Sequence, residues 1–316
     1  MNNYCNNDCV EASCLFETIA AMRSQESSVY KCRIDYLSSS GDGDASSSLT
    51  DVLVQPRGSS SKIGLEWREK ICEWYFKMAD HFQFSREIVS VSLSYLDRYL
   101  TEEVALNKQC DDNLAQLAAM TALHLAVKLF EPRKLKMSSL AGLSRGSFRT
   151  ETIEWMELSM LKTLKWRVHP TTYMTFLDQF FKIFVFQNPK EQEQVDELFE
   201  IARFLTELAV CDCYFINEFQ SHVAYACILV AIEFSSSSSL SSICTPAVVD
   251  EFASNMTNIA RIRHDDPAIV ACRSRVKDIY MKSVVCQSGA ETITSFQRPK
   301  TASKMHQSPT SVCRSY

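Results

Sequence analysis

Lys128 and Glu157 are charges set in apolar surroundings. Lys128 falls within Leu125-Ala126-Val127-Lys128-Leu129-Phe130, and Glu157 falls between Ile153, Met156, Met160 and Leu161. Burying either charge without a partner would cost several kcal/mol. Three arrangements are therefore open: both solvated, an internal ion pair, or a rim that closes over them when another protein binds. Lys128 also ends an apolar helical stretch, where a cation complements the helix dipole. Other motifs point to less. Gly142-Leu143-Ser144-Arg145-Gly146 has the G-x-S-x-G form, but a nucleophile elbow needs a strand before the serine and a helix after it. Helical segments flank Ser144, so a turn between helices accounts for the motif. Cys211-Asp212-Cys213 lacks the two further Cys or His ligands at C-x₂₋₄-C spacing that a zinc site wants. The six His stand singly, and His124, on an apolar helix, reads as a satisfied core histidine. H-E-x-x-H, Walker A and G-x-G-x-x-G are absent, so no catalytic site, cofactor or metal is expected.

The elements that must position these residues read as helices throughout. Residues 38–61 are rich in Ser, Gly and Asp and read as a linker, preceded by a short helix over Cys14–Glu26. Trp67, Ile71, Trp74, Tyr75, Met78 and Phe82 recur at steps of three and four, one face of an amphipathic helix. Ser85 is a suitable N-cap for a second helix through Leu100. Asp112 to Phe130 is apolar almost all round, as expected of a helix buried on every side. A short helix over Met137–Leu143 and a long one over Phe148–Trp166 follow. The second half repeats the plan, with helices over Thr172–Phe186, Glu191–Val210, Gln220–Phe234, Pro246–Met256 and Pro267–Val284. Asn188-Pro189 reads as a cap and first helical residue. Val223–Ile232 is a second all-apolar helix. Aligned with the first, it sets Ala119 over Ala224 and Ala126 over Ala231, small residues that allow close helix approach.

Composition agrees. The 316 residues, 46% of them hydrophobic, suffice for two cores, and seven Gly and eight Pro are few for a β-rich or α/β enzyme. A net charge of −5, with no basic cluster, argues against nucleic acid as a partner. No unbroken apolar run of about 18 residues offers a bilayer span, and the N-terminus does not read as a secretory signal. The thirteen Cys, odd in number and scattered, read as small hydrophobes in a reducing compartment.

With these elements in place, the sequence resembles the cyclin family, the activating subunits of cyclin-dependent kinases. The likeness to the N-terminal cyclin box runs from about Glu66 to Phe181. It is carried by Trp67-Arg68 with Trp74, Tyr95-Leu96-Asp97-Arg98-Tyr99-Leu100, Ala126-Val127-Lys128-Leu129-Phe130-Glu131, Met156-Glu157-Leu158-Ser159-Met160-Leu161 and Leu164-Lys165-Trp166. The second half resembles a cyclin C-terminal fold more loosely, in helix layout and in Pro170-Thr171-Thr172-Tyr173-Met174-Thr175-Phe176-Leu177. Within the family the mixture is most similar to D-type and to algal, diatom-like cyclins.

The resemblance implies an all-α fold of two stacked five-helix bundles. Residues 1–61 form a helix and linker, 62–168 the first box, 169–286 the second and 287–316 a disordered tail. It implies a regulatory subunit, not an enzyme, that binds a cyclin-dependent protein kinase through Lys128, Leu129, Glu157, Leu161, Leu164, Trp166 and Val168. Kinase substrates or inhibitors would meet a docking patch on the first helix, matched here by Trp67, Ile71 and Trp74 with Gln116. Lys70 replaces an apolar residue within that patch. Neither a Leu-x-Cys-x-Glu motif nor a mitotic destruction box is present. Ser308-Pro309 is a minimal proline-directed phosphorylation site in the tail. Nucleus and/or cytoplasm is the expected location. A cyclin-fold scaffold and a TFIIB-like transcription factor are the alternatives.

Overall fold

The computed structural model describes residues 4–30, 64–106, 112–187, 191–235 and 240–288. Among them there is no strand. Eleven α-helices follow one another: α1 (Tyr4–Ser28), α2 (Leu65–Phe82), α3 (Glu87–Ala105), α4 (Asp112–Phe130), α5 (Met137–Leu143), α6 (Thr150–Thr163), α7 (Tyr173–Gln187), α8 (Gln192–Cys211), α9 (Gln220–Ser235), α10 (Pro246–Asn255) and α11 (Pro267–Ser288). Helices α2–α6 form one bundle and α7–α11 the other, and α1 lies against the second.

Each bundle is wound around its apolar helix. In α4, Ala115 and every residue from Leu117 to Val127 are buried, and α3 and α6 supply much of the cover. In α9 the buried run is Ser221 to Ile232, packed by α7, α8 and α11. Ala119, Ala126, Ala224 and Ala231 are all fully buried, so the matched alanines are where neighbouring helices come close. The Tyr75 hydroxyl uses that proximity, donating to the Ala119 carbonyl at 2.8 Å. By length and composition α4 could cross a bilayer, which a search for unbroken apolar runs misses. Here it is the core of a bundle.

Two ion pairs tie α2 to α3 and to the residue before it, and both reach the second bundle. Arg68 Nε and Nη2 donate to Asp97 Oδ1 and Oδ2 at 3.0 and 2.8 Å, with side chains 5% and 8% exposed. Arg68 Nη1 then points at the Val210 carbonyl, 3.5 Å away at the end of α8. Arg86 grips both Asp80 oxygens at 3.0 and 2.9 Å and reaches Glu207 of α8 at 2.7 Å. Between these pairs the thiols of Cys72 and Cys211 touch at 3.3 Å. That contact, then burial, pushes the Cys211 thiol well above its ordinary range, as befits a packing residue.

Helix α1 is longer than the expected Cys14–Glu26 segment. It buries Leu15 and Ile19 and ends on two polar contacts. Glu26 Oε2 accepts the Ser221 N–H at 2.9 Å and Oε1 accepts the Ser221 hydroxyl at 2.5 Å, placing a carboxylate at the N-terminus of α9. Arg23 donates to the Ala260 carbonyl at 2.6 Å, at the end of a π-helical turn over Met256–Ala260. Tyr30 lies under the Arg98 guanidinium, 4.9 Å from ring centre to charge, so the segment touches both bundles.

Other boundaries moved for local reasons. Helix α6 stops at Thr163, short of Trp166, because Lys165 and Trp166 adopt left-handed backbone. Ser85 Oγ accepts the Glu87 N–H at 3.3 Å, as expected of a cap. Helix α8 starts at Gln192, after Glu191. Asn188-Pro189, the 38–61 linker and Ser308 lie outside the described residues.

Removing Arg68 would leave Asp97 buried and charged. Arg68→Ala is expected to lower unfolding free energy by roughly 3–5 kcal/mol, read from urea denaturation of the full chain. A loss under about 1 kcal/mol would mean that the pair is not structural.

Candidate partner-binding site

The end of α4 and the adjoining face of α6 bring the two isolated charges together. Lys128 Nζ donates to Glu157 Oε1 at 2.6 Å. The two differ in environment: the Lys128 side chain is 53% exposed, that of Glu157 only 12%. The other carboxylate oxygen, Oε2, faces Nδ1 of His124 at 3.3 Å. Both atoms are buried, and neither has any other partner. The His124 ring holds the Glu157 carboxyl down to about 2, with burial opposing it and Lys128 adding to it. His124 is therefore only partly the satisfied core histidine expected, since Nε2 has the Leu135 carbonyl at 3.1 Å and Nδ1 has nothing. Lys134 completes the corner by donating to the carbonyls of Lys128, at 2.8 Å, and Glu131.

Apolar side chains surround the pair. Leu129 and Phe130 are exposed, Phe130 leaning on His169 with ring centroids 5.3 Å apart. Trp166 is 65% exposed, and its display is enforced. Lys165 and Trp166 have φ of 54° and 58°, a conformation costing roughly 1 kcal/mol or more at each non-glycine residue. The Trp166 N–H closes back onto the Leu161 carbonyl at 2.9 Å. Helix α3 holds the next residues: the Tyr95 hydroxyl donates to the Val168 carbonyl, and Arg98 donates to the Arg167 carbonyl at 3.0 Å. The Tyr95-to-Leu100 motif thus serves this turn, while its Asp97 serves Arg68.

The remaining expected residues divide by burial. Leu161 and Leu164 belong to the core, where they support the surface from beneath, and Val168 is half-buried. Trp155 and Leu158, neither of them among the expected partner-binding residues, are exposed on α6. An apolar residue on a helix that also buries Ile153, Met156 and Met160 looks like core until the packing is known. In the first-helix patch Trp67, Ile71 and Trp74 are half-buried against the core, while Gln116 is exposed. Arg68, in the same stretch, points inward.

The other motifs are engaged in turns and packing. Ser144 is buried, its hydroxyl donating to the Ala141 carbonyl at 2.7 Å and accepting the Phe148 N–H at 3.1 Å. Gly146, at φ 83°, lets the turn close. Cys211 lies on Cys72, and Cys213 is 3.9 Å from Arg68. Among the described residues, no group of three His, Cys, Asp or Glu could share a metal ion.

Two outcomes follow. A folded pKa held low stabilises above the ordinary glutamate range and loses that contribution as pH falls. The Glu157 carboxyl carbon should titrate near pH 2 by NMR. The stability advantage of wild type over Glu157→Gln should shrink as pH drops below about 4.5. Trp74→Ala, which removes a half-buried ring, should cost on the order of 1–3 kcal/mol in urea denaturation without unfolding the chain. Outright loss of soluble protein would make Trp74 core and end the docking-patch reading.

Comparison with known proteins places this geometry. Residues 46–169 match the family described as "Cyclin, N-terminal domain" and residues 171–265 match "Cyclin, C-terminal domain". Cyclin-D3-2 of Arabidopsis thaliana is 29% identical over 168 residues, covering 52% of this chain and 44% of that protein. Cyclin-D3-3 of the same plant is 33% identical over 128 residues, 40% of this chain and 35% of that one. The G1/S-specific cyclin-E1 of Rattus norvegicus is 28% identical over 116 residues, 37% and 27% of the two chains. The chain thus spans less than half the length of these relatives. A viral cyclin from herpesvirus saimiri shares the fold, with TM-score 0.53 at 18% identity over 69% of this chain and 86% of that one. Two helical bundles in order, matched one after the other by the two cyclin domain families and accompanied by D-type relatives, make this chain a member of the cyclin family.

Proposed function

We propose that this chain is the regulatory subunit of a cyclin-dependent Ser/Thr protein kinase in cell-cycle control, acting in the nucleus and/or cytoplasm. One observation carries the reading. A Lys–Glu pair sits at the edge of a bundle with its lysine in water, while Leu129, Phe130 and Trp166 stand exposed on the same segments. Exposed apolar residues with a charge pair beside them suit a partner surface that excludes water and then hydrogen-bonds to the charges. In the proposed complex the kinase C helix lies on this surface. Lys128 donates to kinase carbonyls and Glu157 accepts from kinase N–H groups. Turning the C helix lets the kinase complete its own Lys–Glu ion pair and order its activation segment, both needed for phosphoryl transfer. Support also comes from a structural neighbour, a chain of the CAK complex of Chaetomium thermophilum bound to ATP-γ-S. Its TM-score is 0.50 at 14% identity, over 84% of this chain and 73% of that one.

Lys128→Ala and Glu157→Gln are expected to weaken kinase binding by roughly 30- to several-thousand-fold. Lys128→Ala should melt within about 1 kcal/mol of wild type, because its pair is half in water. Affinity purification of the tagged full chain with kinase identification, then Kd and activation assays on the variants, makes the test. Full kinase activation by a stable double variant would sink the proposal.

A further inference from the structure

Trp155, Leu158 and Leu161 stand three residues apart on α6. Side chains at that spacing form an oblique ridge, turning about 60° around the helix axis at each step. Exposure climbs along it, from 9% at Leu161 through 46% at Leu158 to 61% at Trp155. The core is covered by Ile153, Met156 and Met160 of the same helix, so the outer ridge serves no packing need of the bundle. Its inner end lies at the candidate site. Leu158 follows Glu157 in sequence, and the Leu161 carbonyl closes the turn that displays Trp166. The ridge therefore continues the partner-binding surface onto a face of α6 that none of the expected residues occupies. It ends in tryptophan, a residue type that often dominates binding energy.

The surroundings of the ridge narrow what could cover it. Glu151 and Glu154 lie one turn before Trp155 and Leu158, so each stands beside one of them on the helix surface, and both are exposed. Among the described residues neither carboxylate has a hydrogen bond or an ion pair. The cations Arg149 and Lys162 sit at opposite ends of the helix. An indole ring with a carboxylate one turn away is suited to a guanidinium or an ammonium, since the ring face attracts the cation and the carboxylate pairs with it. Leu158, next along the ridge, suits an aliphatic side chain.

We infer that the Trp155–Leu158 ridge is a second contact for the kinase, met by a segment that sets an Arg or Lys beside an aliphatic residue, and that this contact selects among kinases. This rests on the kinase-subunit reading. In that reading the Lys128–Glu157 corner hydrogen-bonds largely to backbone groups, which every kinase presents. The ridge asks for particular side chains, and a kinase with Asp or Glu in the facing place is repelled by Glu151 and Glu154. Specificity is a difference of affinities, and a repulsive element widens it.

The test uses the full chain and a panel of recombinant cyclin-dependent kinases. Trp155→Ala should weaken the tightest-bound kinase by about 30-fold and narrow the spread of Kd across the panel. Its urea midpoint should match wild type, because the ring is mostly in water. A Glu151→Lys, Glu154→Lys double variant should lose about tenfold at low salt, less as salt rises. Hydroxyl-radical footprinting of wild type should show Trp155 oxidising more slowly in the complex than in the free chain. If Trp155→Ala does not fold, Leu158→Ala and the footprint decide. Trp155→Ala binding every kinase as wild type does would overturn the ridge contact and leave the kinase reading standing. So would a Trp155 that oxidises equally fast free and bound, or a charge-reversed chain that binds unchanged. Wild type binding no kinase in the panel overturns the kinase reading, and this inference with it.

Discussion

The buried Arg68–Asp97 pair is the constraint on which the rest of the molecule turns. A guanidinium and a carboxylate of matched fork geometry lock α2 to α3, and the third face of the same guanidinium reaches the last turn of α8. Neither ion can be left alone in that interior, so the pair tolerates little relative movement of the three helices. With α2 and α3 held, α4 has its cover on one side. The direction of α3 then places Tyr95 and Arg98 over the turn that follows α6. One six-residue motif thereby serves the fold through its aspartate and the site through its tyrosine and arginine.

The site itself depends on an asymmetry of solvation. Glu157 lies inward between His124 and Lys128, while the Lys128 side chain stays half exposed. A pair of this kind contributes little to stability on its exposed side. Trp166 stands in left-handed backbone, its N–H closed onto the Leu161 carbonyl.

The two bundles repeat the same solution with different fastenings. In the first, the apolar central helix ends in the Lys128–Glu157 corner at the bundle's edge. In the second, Ser221 in the first turn of α9 is satisfied by both carboxylate oxygens of Glu26 of α1. The N-terminal helix therefore closes one end of the second core. Tyr30 carries the chain on to Arg98 of the first.

Much of this was legible in the residues themselves. The apolar runs 117–127 and 223–232 identify the central helices because an all-round apolar helix must be surrounded. The stripe from Trp67 to Phe82 marks α2 in the same way. Lys128 and Glu157 stand out because isolated charges in apolar runs demand a partner. Periodicity did not tell that Arg68, sited in a surface-like stretch, would be the buried ion, since pairing with Asp97 lies across helices. Nor did it tell that Leu161 and Leu164 would be core while Trp155, Leu158 and Trp166 face water. A helical wheel gives spacing, and only the packing of neighbours says which arc of the wheel is covered. The left-handed turn at Lys165-Trp166 carries no glycine to announce it. The meeting of His124, Glu157 and the Leu135 carbonyl joins three separate segments. Local sequence determined the helices and the two charges in need of company; tertiary packing alone decided what that company is, because burial and hydrogen-bond partners are properties of the neighbours.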